Sequence, residues 1–297
     1  MPSVPSAVPD RLARALSEGG DVAVRAVTGT ALVAEAAARH GTGPTATAAL
    51  GRALLGALLL GAGGKDGETV QLRFRGDGPL RSVLAIADAE GRVRGNVGTP
   101  VVDLPLRGGR LDVAGAIGLG ELSVVRHRPG WREPYTGIVP LVSGEIAQDL
   151  ALYLTESEQT PSAVALGVYL EPDGTVSGAG GFVAHALPGA RDEALAALER
   201  NVATLGSPSE RVRDGESAEE LALALLEDVG GRVLEAHPVA FHCGCDERRV
   251  LRAVTLLGRE ALRELCDEGE SVEVRCELCG ERYAIDPERA RALLPDA

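Results

Sequence analysis

Between residues 21 and 27 apolar and polar positions alternate, which predicts a strand. Residues 31–40 are rich in alanine and take the helical period. Residues 45–60 continue as a second, almost wholly apolar helix that ends in Gly61-Ala62-Gly63-Gly64. The period then returns to two. Residues 69–75, 82–87 and 92–97 read as three strands, joined by the turns Gly76-Asp77-Gly78-Pro79 and Ala89-Glu90-Gly91. Residues 122–125 and 135–141 read as another antiparallel pair. Ser143 is placed to cap a helix that runs to 156 with Leu150 and Leu154 on one face. A hairpin of 164–170 and 181–187 closes the run around Pro172-Asp173-Gly174. Runs of strands with grouped helices predict an α+β fold class: a large N-terminal domain over residues 1–189 with a mostly antiparallel sheet. Residues 1–10 contain Pro and Ser and are expected to fray.

The pattern changes at Pro188-Gly189. Residues 190–205 place Leu195, Leu198, Val202 and Leu205 on one helical face, and Gly206-Ser207-Pro208 breaks it. Ser217-Ala-Glu-Glu220 is a capping box that opens a second helix carrying Leu221, Leu225 and Val229, stopped by Gly230-Gly231. Residues 190–236 therefore read as a helical linker of two short amphipathic helices, an element that is weak on its own in water. In the tail, residues 237–297, helices are predicted over 246–257 and 259–265 and a strand over 271–275.

The core must be built from Leu, Val, Ile and Ala, because the 297 residues include only eight aromatic side chains. The formal net charge of −13 is unevenly spread. Residues 1–189 carry 16 basic and 19 acidic side chains (−3), residues 190–236 carry 5 and 11 (−6), and residues 237–297 carry 9 and 13 (−4). An acidic tail argues against nucleic acid as a partner, since phosphate binding needs a basic face. Self-repulsion adds to the marginality of the linker. No basic, apolar signal segment opens the chain. The most apolar stretch, 53–64, is short and broken by glycine, and reads as a buried helix and not a membrane span. A cytoplasmic protein without membrane partners is expected.

No phosphate loop, dinucleotide fingerprint or nucleophile elbow occurs, so no enzyme activity is indicated. His40, His127 and His185 are isolated from one another and read as surface or turn residues. Trp131 and Tyr135 read as core packing in preference to an exposed patch.

The chemistry is concentrated in the tail. Cys243-Gly244-Cys245 and Cys276-Glu277-Leu278-Cys279 hold four of the five cysteines, separated by thirty residues. Four thiolates complete a tetrahedral zinc shell and leave no position open to substrate. Cysteines grouped at metal spacing also fit a reducing compartment. The one-residue spacer of the first pair is unusual. A disulfide across it would close a small, strained ring that is easily reduced again, which suits a reversible switch. Zinc contributes about 10–16 kcal/mol in small modules, so losing it would unfold a sixty-residue segment. A purely structural zinc ribbon, or a thiol–disulfide oxidoreductase using Cys276 and Cys279, are the other readings of this spacing. Cys266 lies on an apolar helical face with Leu262 and Leu265 and reads as packing, and His242 as an exposed or supporting neighbour. Arg248, Arg249, Arg275 and Arg282 stand near the sulfurs in sequence, either offsetting thiolate charge or solvated.

The CxC/CxxC combination at this separation resembles the 33-kDa heat-shock protein family of redox-regulated holdase chaperones. Gln71-Leu-Arg-Phe-Arg-Gly-Asp-Gly-Pro79, Tyr135-Thr-Gly-Ile-Val139, Ser157-Glu-Gln-Thr-Pro161 and Gly180-Gly181 extend the resemblance over essentially the whole chain. The resemblance implies an inactive, reduced monomer with one zinc ion held by Cys243, Cys245, Cys276 and Cys279. Oxidation would link Cys243 to Cys245 and Cys276 to Cys279 and release the metal. The tail and linker would then unfold and expose a surface that binds unfolding clients without ATP, and the oxidised form would dimerise. Cys266 lies outside the family pattern.

Overall fold

The computed structural model describes residues 8–65, 67–255 and 272–286. The chain divides into two units, Met1–Phe241 and His242–Ala297.

The first unit holds two sheets. Strands β1 (Arg11–Ser17), β2 (Val22–Thr28), β8 (Ser162–Leu170), β9 (Val176–Ala186) and β10 (Gly231–Pro238) form one, in the order β10-β1-β2-β9-β8. Strands β3 (Thr69–Gly76), β4 (Ser82–Asp88), β5 (Arg92–Val97), β6 (Gly120–His127), β7 (Tyr135–Pro140) and β11 (Ala240–Phe241) form the other, in the order β11-β5-β4-β3-β6-β7. Every pairing in them is antiparallel except β11 with β5. The α+β architecture follows the period-two runs of the sequence.

Helix α1 (Thr30–His40) leads into α2 (Pro44–Gly61), which packs on strands of both sheets. Because α2 is covered on all sides, it can be apolar around its whole circumference. Its 18 residues are long and apolar enough to cross a membrane, but 89% of that window is buried in this fold. The reading as a buried helix therefore stands, while the short length inferred for it does not. Gly76 and Gly78 form a turn whose amides are used internally: Gly78 N donates to Ile117 O at 2.9 Å and Asp77 N to Leu119 O at 2.9 Å. The short helix α3 (Val113–Ile117) supplies that surface. In α4 (Ile146–Glu156) Leu150 and Leu154 are buried as expected. The cap differs from expectation: Glu145 is the N-cap. The buried Asp149 carboxylate organises the preceding turn, accepting from the amides of Val142 and Ser143 at 3.0 and 3.1 Å. The Ser143 hydroxyl instead accepts from Glu145 N at 2.9 Å, a local turn just ahead of the helix.

Residues 190–236 were read as a helical linker. They form α5 (Asp192–Leu205), α6 (Pro208–Arg213), α7 (Ala218–Ala224), a short 3₁₀ turn and most of β10. All lie within the first unit. Their apolar sides cover one face of the first sheet: Leu198, Leu205, Val212, Leu221 and Leu225 meet Val22, Val24, Ala26, Phe182 and Ala184. Ser217 and Glu220 make the expected capping box, with Glu220 N donating to Ser217 Oγ at 3.2 Å and Ser217 N to Glu220 Oε2 at 2.8 Å. Asn201, on the buried side of α5, donates from Nδ2 to Leu225 O at 3.1 Å. At the entry to α5 the Arg191 guanidinium and amide grip buried Asp21, the shortest contact being 2.6 Å. That grip holds the Asp21 carboxyl below the usual carboxylate range. Residues 231–236 differ from the sequence reading, because they pair with β1 as an edge strand, Arg14 opposite Glu235 and in contact with it at 3.0 Å.

Three side chains are also placed differently from expectation. His40 is buried at the end of α1, where it meets the ring of Phe241. Trp131 and Tyr135 are exposed, at 43% and 44%, beside the edge strand β7. Burial of an isolated His or exposure of an aromatic depends on what packs over it, which local pattern does not carry. Of residues 1–10, expected to fray, 1–7 lie outside the described residues, as do the expected helix over 259–265 and Cys266, whereas Asp10 is tied down, its carboxylate accepting from Ala31 N and Leu32 N at 3.2 and 2.6 Å.

The second unit contains α8 (Glu247–Thr255) and the antiparallel pair β12 (Val272–Arg275) and β13 (Arg282–Ile285).

Candidate metal centre

β12 and β13 pair from Val272↔Ile285 to Arg275↔Arg282, so the ladder ends where the second cysteine pair begins. The turn between them is tied by Cys276 N donating to Glu281 O at 2.8 Å and Gly280 N to Cys276 O at 2.8 Å. Gly280 takes φ 72°, a left-handed conformation that costs a residue without Cβ little. This brings Cys276 and Cys279 to one side of the turn, with Cys279 buried. On the other side, Cys243-Gly244-Cys245 runs directly into α8. Asp246 caps that helix, accepting from Arg249 N at 2.7 Å, and so ends the segment one residue past Cys245.

The fold gathers the four sulfurs. All lie within 4.8 Å of one another. Cys243 Sγ is 3.9 Å from Cys276 Sγ, and Cys245 Sγ is 3.3 Å from Cys279 Sγ. All four thiols are free. A tetrahedron of Zn–S bonds near 2.3 Å has sulfur–sulfur edges of about 3.8 Å. The observed separations fit that shell and exceed a disulfide bond of about 2.05 Å. Every sulfur is near the other three, so proximity alone selects no disulfide pairing.

The electrostatics favour a cation at this point. Burial pushes the Cys243 thiol up, and burial together with the neighbouring thiols pushes Cys279 up. Cys245 is opposed by burial, but hydrogen bonds from Tyr283 and the other thiols bring it below its ordinary value. Tyr283 Oη donates to Cys245 Sγ at 3.2 Å, and that bond in turn pushes the phenol up. With Cys243 and Cys279 pushed toward the protonated form, a bound divalent cation would supply the positive charge that stabilises their thiolates. The set of four soft donors suits zinc. Among the described residues, this is the group of potential ligands the fold assembles.

His242 is exposed and outside the cluster. Arg249 Nη1 lies 3.3 Å from where a Cβ on Gly244 would sit, which sets a guanidinium beside the CxC pair. Arg282 instead pairs with Glu273 at 3.0 Å on the surface. Sequence reasoning missed Tyr283. Its signal was faint, because only the β12–β13 register, which sets Tyr283 opposite Val274, directs it to the sulfurs.

Comparison with known proteins matches nearly the whole chain. The family model described as "Hsp33 protein" matches residues 10–286. The "33 kDa chaperonin" of Geobacter sulfurreducens is 43% identical over 291 residues, covering 98% of this chain and 97% of the relative. The "33 kDa chaperonin" of Symbiobacterium thermophilum is 47% identical over 281 residues, covering 94% and 95%. The crystal structure of the 33 kDa chaperonin from Thermotoga maritima superposes with a TM-score of 0.88 at 36% identity, covering 96% of this chain and 97% of that one. The four-sulfur tail and the two-sheet unit thus occur together in a chain that belongs to the Hsp33 protein family.

Proposed function

We propose that this protein is a redox-regulated, ATP-independent holdase chaperone of the bacterial cytoplasm, not an enzyme. The observation that carries the proposal is the cluster of four free thiols within 4.8 Å in a chain of this family. In the reduced state Cys243, Cys245, Cys276 and Cys279 hold one zinc ion, which supplies the charge that keeps the thiolates together and the tail folded.

Oxidation acts on the sulfurs themselves. Each pair of thiolates gives two electrons to one hydrogen peroxide, which takes up two protons from solvent, forming one S–S bond and two waters. Two peroxides thus convert the set to disulfides, Cys243–Cys245 and Cys276–Cys279, and no thiolate is left to hold a metal. A module of about sixty residues has too little core to stay folded without it.

Residues 190–236 then follow. Their helices are short, their net charge is −6, and beyond the β10–β1 ladder their attachment to the first sheet rests on one apolar face and ion pairs such as Arg11–Glu219 and Arg14–Glu235. Exposed ion pairs contribute little, about 0–1 kcal/mol each. Release would bare the face built from Val22, Val24, Ala26, Phe182 and Ala184, an apolar surface suited to segments of unfolding proteins. The same exposed surface favours a homodimer of the oxidised form.

The test is client aggregation followed by light scattering. The reduced, zinc-loaded protein is expected to be inert, and the same protein after peroxide at mildly raised temperature is expected to suppress scattering. Equal activity in both states would leave the cysteines a structural role and sink the switch.

A further inference from the structure

The chain between α7 and the first cysteine pair runs along both sheets of the first unit. β10 pairs with β1 at the edge of the first sheet, and β11 pairs with β5 at the edge of the second. Val239 N, between them, donates to Asp10 O at 3.1 Å, and Ala240 N donates to Gly91 O at 3.0 Å. The crossing is close: a Cβ on Gly91 would meet Pro238 O at 2.8 Å, and Gly91 itself takes φ +83°. Residues 231–241 thus form a strap that ends two residues before Cys243.

The strap is unevenly secured. β10 is held by a ladder of seven register pairs, whereas β11 has two. The side chain that compensates is Phe241. It is only 7% exposed. His40 at the end of α1 stands edge-on to its ring, 6.4 Å between centroids at 77°. The Arg39 guanidinium lies 5.6 Å from the ring centre. An aromatic ring seated between an edge-on ring and a guanidinium gains from both its buried area and its quadrupole.

We propose that Phe241 is a latch: its seat against His40 and Arg39 keeps the strap on the two-sheet unit, and its release is the step through which loss of the metal module reaches residues 190–236. The inference rests on the redox-switch reading above and names the residue that couples its two halves. While the tail is folded, the strap is held at both ends. Once the tail unfolds, the strap has a free end, and fraying begins where pairing is shortest, at β11. With Phe241 unseated, β10 loses its downstream anchor and can peel from β1. The Arg14–Glu235 contact and the bond from Arg11 Nη2 to Ala236 O then break, and α7, which Arg11 also holds through Glu219, is loosened.

The experiment uses the full-length, reduced, zinc-loaded protein and its Phe241→Ala and Phe241→Leu variants. Zinc content, protease cleavage within 190–241 and client light scattering are measured without oxidant. Phe241→Ala is expected to retain one zinc per chain, to be cut in 190–241 at least tenfold faster than the parent, and to suppress client aggregation while reduced. Phe241→Leu, which refills most of the seat, should restore slow cleavage. His40→Ala, which empties the seat from the other side, should shift cleavage in the same direction by a smaller factor.

A Phe241→Ala protein with parental cleavage and no reduced-state activity would overturn the latch. So would one that loses its zinc, since Phe241 would then belong to the metal module. Oxidised parent protein serves as the control. If it too fails to protect clients, the redox reading itself has failed, whatever Phe241 does.

Discussion

Tyr283 donates a hydrogen bond from outside the cysteine set to a sulfur of the four-thiol cluster, Cys245 Sγ. A donor to a thiolate lowers the charge the metal must neutralise and fixes the sulfur's lone pairs. Groups in that position typically account for 10–100-fold in metal affinity. Tyr283→Phe is therefore expected to weaken zinc binding by about 10–100-fold, read by competition with a chromogenic chelator. An unchanged affinity would show that the bond does not act on the thiolate. At this scale the four cysteines were legible, because ligand chemistry restricts which residues can do the work. Tyr283 and Phe241 were not. An aromatic side chain reads the same in a core, at a surface or against a sulfur, and only its neighbours distinguish these. His40 and Trp131 were misplaced for the same reason, one read as exposed and found buried, the other the reverse.

Helix α7 shows what local signals can and cannot specify. Its N-terminus is written into the chain, since Ser217 and Glu220 satisfy each other's backbone amides without help from elsewhere. Ser217→Ala should cost about 1 kcal/mol. Amide protection across Ala218–Ala224 in the reduced protein should fall by about fivefold, the ratio that corresponds to that energy. If protection is unchanged, α7 is held by its packing on β1 and β2 alone. Neighbouring elements lacked such signals. Gly206-Ser207-Pro208 reads as a break, yet Pro208 opens α6, since its missing N–H is not needed in a first turn. Strand β10 has no clean alternation, because an edge strand buries little on either face. Its register is imposed by β1.

For the molecule as a whole, the division at Phe241 and His242 sets what metal removal does. The second unit has little buried apolar surface among its described residues, where Val250, Cys279 and Ile285 are the buried side chains. The first unit has an extensive core around α2 and the two sheets. A chelator strong enough to strip zinc under reducing conditions should therefore abolish protection of the β12–β13 amides while those of β2, β3 and α2 stay slow in hydrogen exchange. If the tail kept its protection without metal, its fold would not depend on the four thiolates. Concurrent exposure of β2 and α2 would mean that the two units unfold together.

The sequence by itself determined the four-thiol chemistry, the α+β class and the acidic, helix-forming stretch at 190–236. Each of these rests on residue type and short-range period. Ligand identity is covalent chemistry, alternation is set by the strand's geometry, and a capping box closes over four residues. Tertiary structure alone decided that two sheets enclose α2, that residues 190–236 cover the first sheet, and that a strap across both sheets delivers Phe241 to His40 just before the first cysteine pair. These facts depend on pairings between residues up to some two hundred positions apart, such as Arg11 with Glu219. The free energy that selects them comes from excluding water between surfaces, and no local stretch of chain carries both surfaces at once.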